Sequence, residues 1–306
     1  MGSNLRLMRR ISRMLGIGIL AAASVAHAGK LSMVEGFAAL RVTDDGTLAQ
    51  GVRLAELERR YSERIAPGLA TPGSLSNEDL AAAFEATDML AFYALQGTQA
   101  QLERYTEAMS RVFDAMAAQR AVTPRHVGMM FDAFVSSRSF DAASRLLERY
   151  PVELLDRSVP RVVYAPHFEA SRPAVLALQG DGTLLARNVD RSGEHIIVVV
   201  GCRASRNALD DINASRDLVD AFSRSRTYWL MPADRMTDAS ALQEWNARNP
   251  EQPAMFVYAN AAWTNVAFGS MPHFQRFDGE HRIANVRGWE RGGSAAQSAA
   301  LFDPVE

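Results

Sequence analysis

Apolar residues recur at two different periods along this chain, and the change of period divides it. From about Thr47 to Tyr150 they fall at helical spacing, as in Leu54, Leu57 and Tyr61 and then Leu80, Phe84, Met89 and Phe92. Turn formers interrupt the pattern at Pro67-Gly68, Thr71-Pro72-Gly73, Gly97 and Pro151. The segments between them predict helices over 77–96, 98–119, 124–136 and 140–148. Ser76 stands three residues before Asp79 at capping-box distance, and Thr123 precedes Pro124 as an N-cap precedes an N1 proline. Short helices with tight connections pack as antiparallel hairpins, so this half reads as an all-α helical-hairpin domain. No fixed-period self-similarity assigns it to a repeat family. Scaffolding or partner binding is the role such a unit would have.

Prolines at 151, 160, 166 and 173 then exclude regular helix and favour extended backbone before each ring, which marks a linker. Beyond it the pattern becomes that of strands. Residues 174–178 and 183–187 flank Gln179-Gly180-Asp181-Gly182, the signature of a hairpin with a longer loop. Residues 195–200 form a continuous β-branched apolar run, as in a strand buried on both faces. A helix over 206–222 follows, with Leu209, Ile212, Leu218 and Phe222 available to face a sheet. Then come a strand at 227–231, a helix at 239–246, a strand at 255–258, two strands about Phe277-Asp278-Gly279-Glu280, and a helix at 294–302.

The N-terminal residues change the compartment. Arg6, Arg9, Arg10 and Arg13 precede an apolar run from Met14 to Val25, and Ala26-His27-Ala28 supplies a small-x-small cleavage site. The apolar run is shorter than the roughly 20 residues of a bilayer span, so a cleaved leader ending at Ala28 is expected, with a periplasmic or secreted product. The expected organisation is therefore a leader over 1–28, a helical domain over 29–152, a linker over 153–173 and an α/β domain over 174–306.

Charge excludes one class of partner. The chain has 33 basic and 35 acidic residues, and the leader removes four arginines and no acid. A net negative mature protein lacks the basic face of a nucleic-acid binder. Lys30 is the only lysine, a compositional bias more than an arginine surface.

Cys202 is the only cysteine, in a protein expected where disulfides persist and cysteines usually pair. It falls between the 195–200 strand and the following helix. At a helix N-terminus the backbone N–H groups and dipole stabilise a thiolate, and Arg203 adds a cation. A free cysteine also serves commonly as a small buried apolar residue, and the thiol's position by itself leaves both roles open.

The order strand, Cys turn, helix, strand, helix, strand, followed by Met271-Pro272, an Asp-Gly turn, a further strand, a glycine and a last helix, resembles the thioredoxin-like superfamily over roughly residues 174–302. That resemblance implies a central mixed sheet flanked by helices, preceded here by the all-α unit and an extra β-hairpin. It implies a cis peptide bond before Pro272 and an open backbone edge at Met271-Pro272 that docks an extended substrate beside Cys202. The family's Cys-x-x-Cys becomes Cys202-Arg203-Ala204-Ser205, after Gly201 in place of an aromatic residue.

Ser205 cannot attack a mixed disulfide, so dithiol reduction or oxidation by this chain alone is excluded. Monothiol exchange on exported proteins remains, with Cys202 as nucleophile, Ser205 bonding the thiolate, Met271, Pro272 and Arg203 touching substrate, and exported proteins or small thiols as mixed-disulfide partners. The alternative is a non-catalytic thioredoxin-fold binding or scaffold protein. Peroxide-reducing relatives place their cysteine where Ser205 stands, after a threonine absent here. No cofactor is expected, and His126, His167, His195, His273 and His281 lack metal-ligand spacing. Phosphate-loop and nucleophile-elbow motifs are absent.

Overall fold

The structure is a computed structural model that describes residues 32–44, 50–234, 239–291 and 295–303; the expected leader and its Ala28 cleavage site lie outside the described residues. Residues 32–306 form one compact unit. Its first half is helical, with α1 (Met33–Thr43), α2 (Gln50–Arg64), α3 (Asn77–Ala94), α4 (Gln99–Ala118), α5 (Pro124–Ser136) and α6 (Phe140–Arg149). Two short 3-10 turns, Ala66–Ala70 and Pro72–Ser74, absorb the proline–glycine breaks between α2 and α3.

Capping fixes where these helices begin. Ser76 accepts the Asp79 N–H, but the Asp79 carboxylate accepts from the Ser76 hydroxyl and from the Met33 N–H, so it ties α3 to α1 instead of closing a box. At α5, Thr123 accepts from His126 N and the His126 ring reaches back to the Thr123 N–H, with Pro124 at the first helical position. The helix α1, with Ser32 and Glu35 as a reciprocal cap, falls before the stretch whose periodicity was legible. Leu57, Ile65, Leu80, Phe84, Leu90, Met109, Met116 and Met130 are fully buried and form one core across these helices.

The second half is a mixed eight-stranded sheet in the order β1-β3-β2-β6-β5-β4-β7-β8. Its strands are β1 (Val162–Tyr164), β2 (Ala174–Leu178), β3 (Leu184–Asn188), β4 (Glu194–Val199), β5 (Thr227–Met231), β6 (Ala254–Val257), β7 (His273–Asp278) and β8 (His281–Arg287). The short strand β1 lies within the proline-rich stretch and pairs with β3 in parallel, an element the proline pattern concealed. β4, β5 and β6 run parallel, β7 is antiparallel to β4, and β8 is antiparallel to β7. β2 joins the β6 edge antiparallel, so the β2–β3 hairpin extends the sheet as expected.

One expected helix is two. α7 (Arg203–Ala214) and α8 (Arg216–Arg224) are separated at Ser215, whose extended backbone and hydroxyl, accepting from Leu218 N, end one helix and cap the next. α9 (Ala239–Arg248) and α10 (Ala295–Phe302) complete the half. Strand alternation sends Ile196 and Val198 into a core shared with Leu209, Ile212, Phe222, Trp245 and Leu301 from these four helices. Their neighbours Ile197 and Val199 face the other way, against Trp263 and Phe268 of the 259–270 loop.

Two polar side chains join the halves. Arg138, buried and with φ of 63°, donates to the carbonyls of Tyr258 (2.9 Å) and Val257 (2.7 Å) at the end of β6. Burial lowers its pKa to about 10, against the attraction of nearby Tyr258, Asp234 and Tyr164. Asn260 donates to the carbonyls of Leu95 (3.0 Å) and Ala233 (2.9 Å) and accepts from the Ala233 N–H.

Candidate functional site

The buried run of β4 ends at Gly201, and the chain turns there into α7. Gly201 has φ of 143°, and a Cβ at that position would lie 3.3 Å from the Met271 sulfur. Glycine therefore allows both the turn and the close passage of the Met271 side chain. Cys202 follows as the N-cap residue of α7, with extended backbone, and its carbonyl accepts the first helical bond from Arg206 N.

The Cys202 thiol is half-buried and lies outside the apolar cores. Its sulfur is 3.4 Å from the Ser205 Oγ and 3.5 Å from the Met271 carbonyl oxygen. Burial raises the thiol pKa, but the Ser205 hydroxyl and the N–H groups of Ser205, Ala204 and Cys202 outweigh it, and the net shift is downward. The helix start thus favours the thiolate, as the placement of the residue implied. Ser205 is 1% exposed, held under the first turn of α7 with its hydroxyl facing the sulfur.

The opposite side of the site is the loop ahead of β7. The Met271–Pro272 bond is cis, as the resemblance implied. The Pro272 carbonyl accepts from Gly288 N at 2.9 Å, which fastens the turn to the end of β8. Met271 is exposed, and its carbonyl accepts from the Cys202 thiol.

His273 makes no bond to Cys202. It is fully buried on β7, where Nδ1 contacts the Ala267 carbonyl and the Ser270 hydroxyl at 3.1 and 3.2 Å, and Nε2 contacts Asn285. Burial depresses its pKa, against the bonds to Asn285 and Ala267. Gln275 grips the same loop, accepting from Ala267 N and donating to its carbonyl. Both side chains pin the loop that presents Met271 and Pro272.

The structure thus brings together Cys202, Ser205, Met271 and Pro272. Arg203 is exposed on the first turn of α7, adjacent to the thiol and without an ion-pair partner among the described residues. Residues outside the motif also border the site. A cavity of about 990 Å³ opens beside Gly201, Arg203 and Met271, and the end of α3 forms one of its walls through Phe92 and Leu95.

Phe92 is the member of the expected apolar stripe that stays out of the core, 48% exposed. From Leu80 to Phe92 is twelve residues, which at 3.6 residues per turn puts their side chains about 120° apart.

A parallel β4-α7-α8-β5 unit, then the β7–β8 hairpin and α10, with a cysteine at the first strand-to-helix turn facing a cis-proline, defines the class. The C-terminal half has a thioredoxin-like fold carrying a single-cysteine Cys-x-x-Ser turn. No known family model matches the chain, and no curated protein does. Among solved structures, a thioredoxin-like protein from Bacteroides caccae ATCC 43185 is similar at TM-score 0.27 and 10% identity, over 74% of this chain and 83% of that one. The fold assignment rests on the topology and the Cys202 turn described above.

Proposed function

We propose that this protein carries out monothiol thiol–disulfide exchange on exported proteins through Cys202. The observation that carries the reading is the sulfur's position: at the N-terminus of α7, outside the cores, between the Ser205 hydroxyl and the cis-proline turn. In the first step the Cys202 thiolate attacks one sulfur of a substrate disulfide. A bond forms between Cys202 and that sulfur, and the other substrate sulfur leaves as a thiolate. A second thiolate, from the substrate or from a small thiol, then attacks the substrate sulfur of the mixed disulfide and returns the Cys202 thiolate. When both thiols belong to the substrate the outcome is isomerisation, with no net oxidant or reductant consumed.

Ser205 stabilises the thiolate before attack and after release, and cannot resolve the intermediate. Met271 and Pro272 offer backbone beside the sulfur, and Arg203 is placed to touch bound substrate. The leader expected from the sequence of residues 1–28 is what supports an exported compartment, where such substrates occur. The test is disulfide exchange by the mature protein against its Cys202→Ala variant. Loss of exchange, with capture of mixed-disulfide partners by the unsubstituted protein, supports the reading. Equal activity in the variant sinks it.

A further inference from the structure

The helical half contributes to the cavity beside the Cys202 turn. The end of α3 and the exposed side of α7 both line the 990 Å³ cavity, with Met231 and Phe256 of the sheet and Trp245 of α9. The cavity includes Gly201 and Arg203, the neighbours of Cys202, together with Met271, and follows α7 as far as Asn213. That stretch of helix spans about 15 Å at 1.5 Å per residue. The same span takes four to five residues of extended polypeptide at about 3.3 Å each. A compact small thiol fills one end of it only.

Apolar and charged residues both line the channel. Phe92, Met231, Trp245, Phe256, Phe268 and Met271 give a deformable apolar lining in which thioethers and rings adapt to varied side chains. At the thiol end, Arg203 and Arg206 are exposed and have no ion-pair partner among the described residues, whereas Arg248 at the far end is paired with Glu244 at 2.7 Å. Asp210 and Asp234 also line the cavity; among the charged residues of α7 that do so, Arg203 and Arg206 stand nearest Cys202 in sequence and complement an acidic group there. The α3 wall is anchored directly: Asn260 donates to the Leu95 carbonyl, so the channel stands preformed.

We propose that this channel holds an extended segment of the disulfide-bearing polypeptide. Phe92 packs on an apolar residue close to the reacting cysteine, and Arg203 and Arg206 face an acidic one. The proposal rests on the exchange reading above and names the substrate that site selects. Phe92 is a specificity residue, and through it the helical half takes part in choosing substrates.

The experiment uses the mature protein and two synthetic peptides, each with one cysteine capped by a thionitrobenzoate disulfide. One peptide places glutamate, phenylalanine and leucine around the cysteine; the other places serine and lysine there. Attack by Cys202 on the peptide sulfur joins peptide to protein and expels the low-pKa thionitrobenzoate, whose colour reports the rate. The expected result is a preference of about tenfold for the acidic–apolar peptide, the scale of one apolar side chain filling a site. Phe92→Ser should remove most of that preference, and because Phe92 is half exposed the α3 core residues Leu90 and Ala91 stay in place. Equal rates for the two peptides, or a preference that survives in Phe92→Ser, overturn the proposal and leave the exchange reading standing. No colour from either peptide overturns both.

Discussion

The Cys202 sulfur lies 3.4 Å from the hydroxyl of Ser205, a residue 1% exposed beneath the first turn of α7. The serine occupies the place of a second cysteine and does different work there. Its hydroxyl donates to the thiolate, whereas the Met271 carbonyl, 3.5 Å away, accepts only from the protonated thiol. The two groups pull the proton equilibrium in opposite directions, and the helix N-terminus sides with Ser205.

Ser205→Ala removes that donor. Alkylation of Cys202 followed against pH should show its midpoint move up in the variant, toward the roughly 8.5 of a free cysteine. An unchanged midpoint would assign the depressed pKa to the backbone N–H groups alone.

The same shift links thiol ionisation to stability. The folded pKa lies below the unfolded one, so the native state binds fewer protons between the two values. The stabilisation is fully present above the unfolded thiol pKa and is lost as pH falls through the folded one. Denaturant midpoints measured across that window should rise with pH more steeply in the unsubstituted protein than in Cys202→Ala.

Ser205→Cys restores a neighbouring thiol. Under mild oxidation the introduced thiol should form a disulfide with Cys202, and the variant should accumulate fewer trapped mixed disulfides, since the new thiolate attacks the intermediate within the molecule. Thiol titration and non-reducing electrophoresis read both effects.

Arg138 holds the halves together from a buried position. Arg138→Met leaves the Tyr258 and Val257 carbonyls without their donors and should cost roughly 2–4 kcal/mol of unfolding free energy. Arg138→Lys should recover little of it, because an ammonium does not reproduce the planar fork that reaches two carbonyls. Thermal or urea unfolding measures the difference.

Gly201 tests the turn itself. Gly201→Ala forces a side chain into φ of 143° and against the Met271 sulfur at 3.3 Å. The expected cost is about 1–3 kcal/mol. Slower alkylation of Cys202 should accompany it as Met271 is displaced.

Much of this protein was legible along its length, because local signals are written in adjacent residues. The start of α5 followed from Thr123-Pro124, and Cys202 from its place between a buried strand and an amphipathic helix. The Met271-Pro272 pair and the Asp278-Gly279 turn pointed to the thioredoxin-like fold from residue order alone.

Other features depended on partners distant in sequence or on choices that spacing leaves open. Ser215 divides a continuous apolar pattern because its hydroxyl found Leu218 N, a choice periodicity does not make. β1 is a strand only because β3 offers it a ladder. His273 serves the cis-proline loop because Ala267 and Asn285 surround it on a buried face, away from the sulfur.

Sequence by itself determined the element types, the single sulfur at a helix start and the missing second thiol, since each depends on residue identity and near-neighbour spacing. Only the tertiary structure decided that α3 of the helical half lines the cavity beside the Cys202 turn. Phe92 and Arg203 are more than a hundred residues apart, and what brings them to one cavity is the packing of two cores and the bonds of Arg138 and Asn260 across their junction.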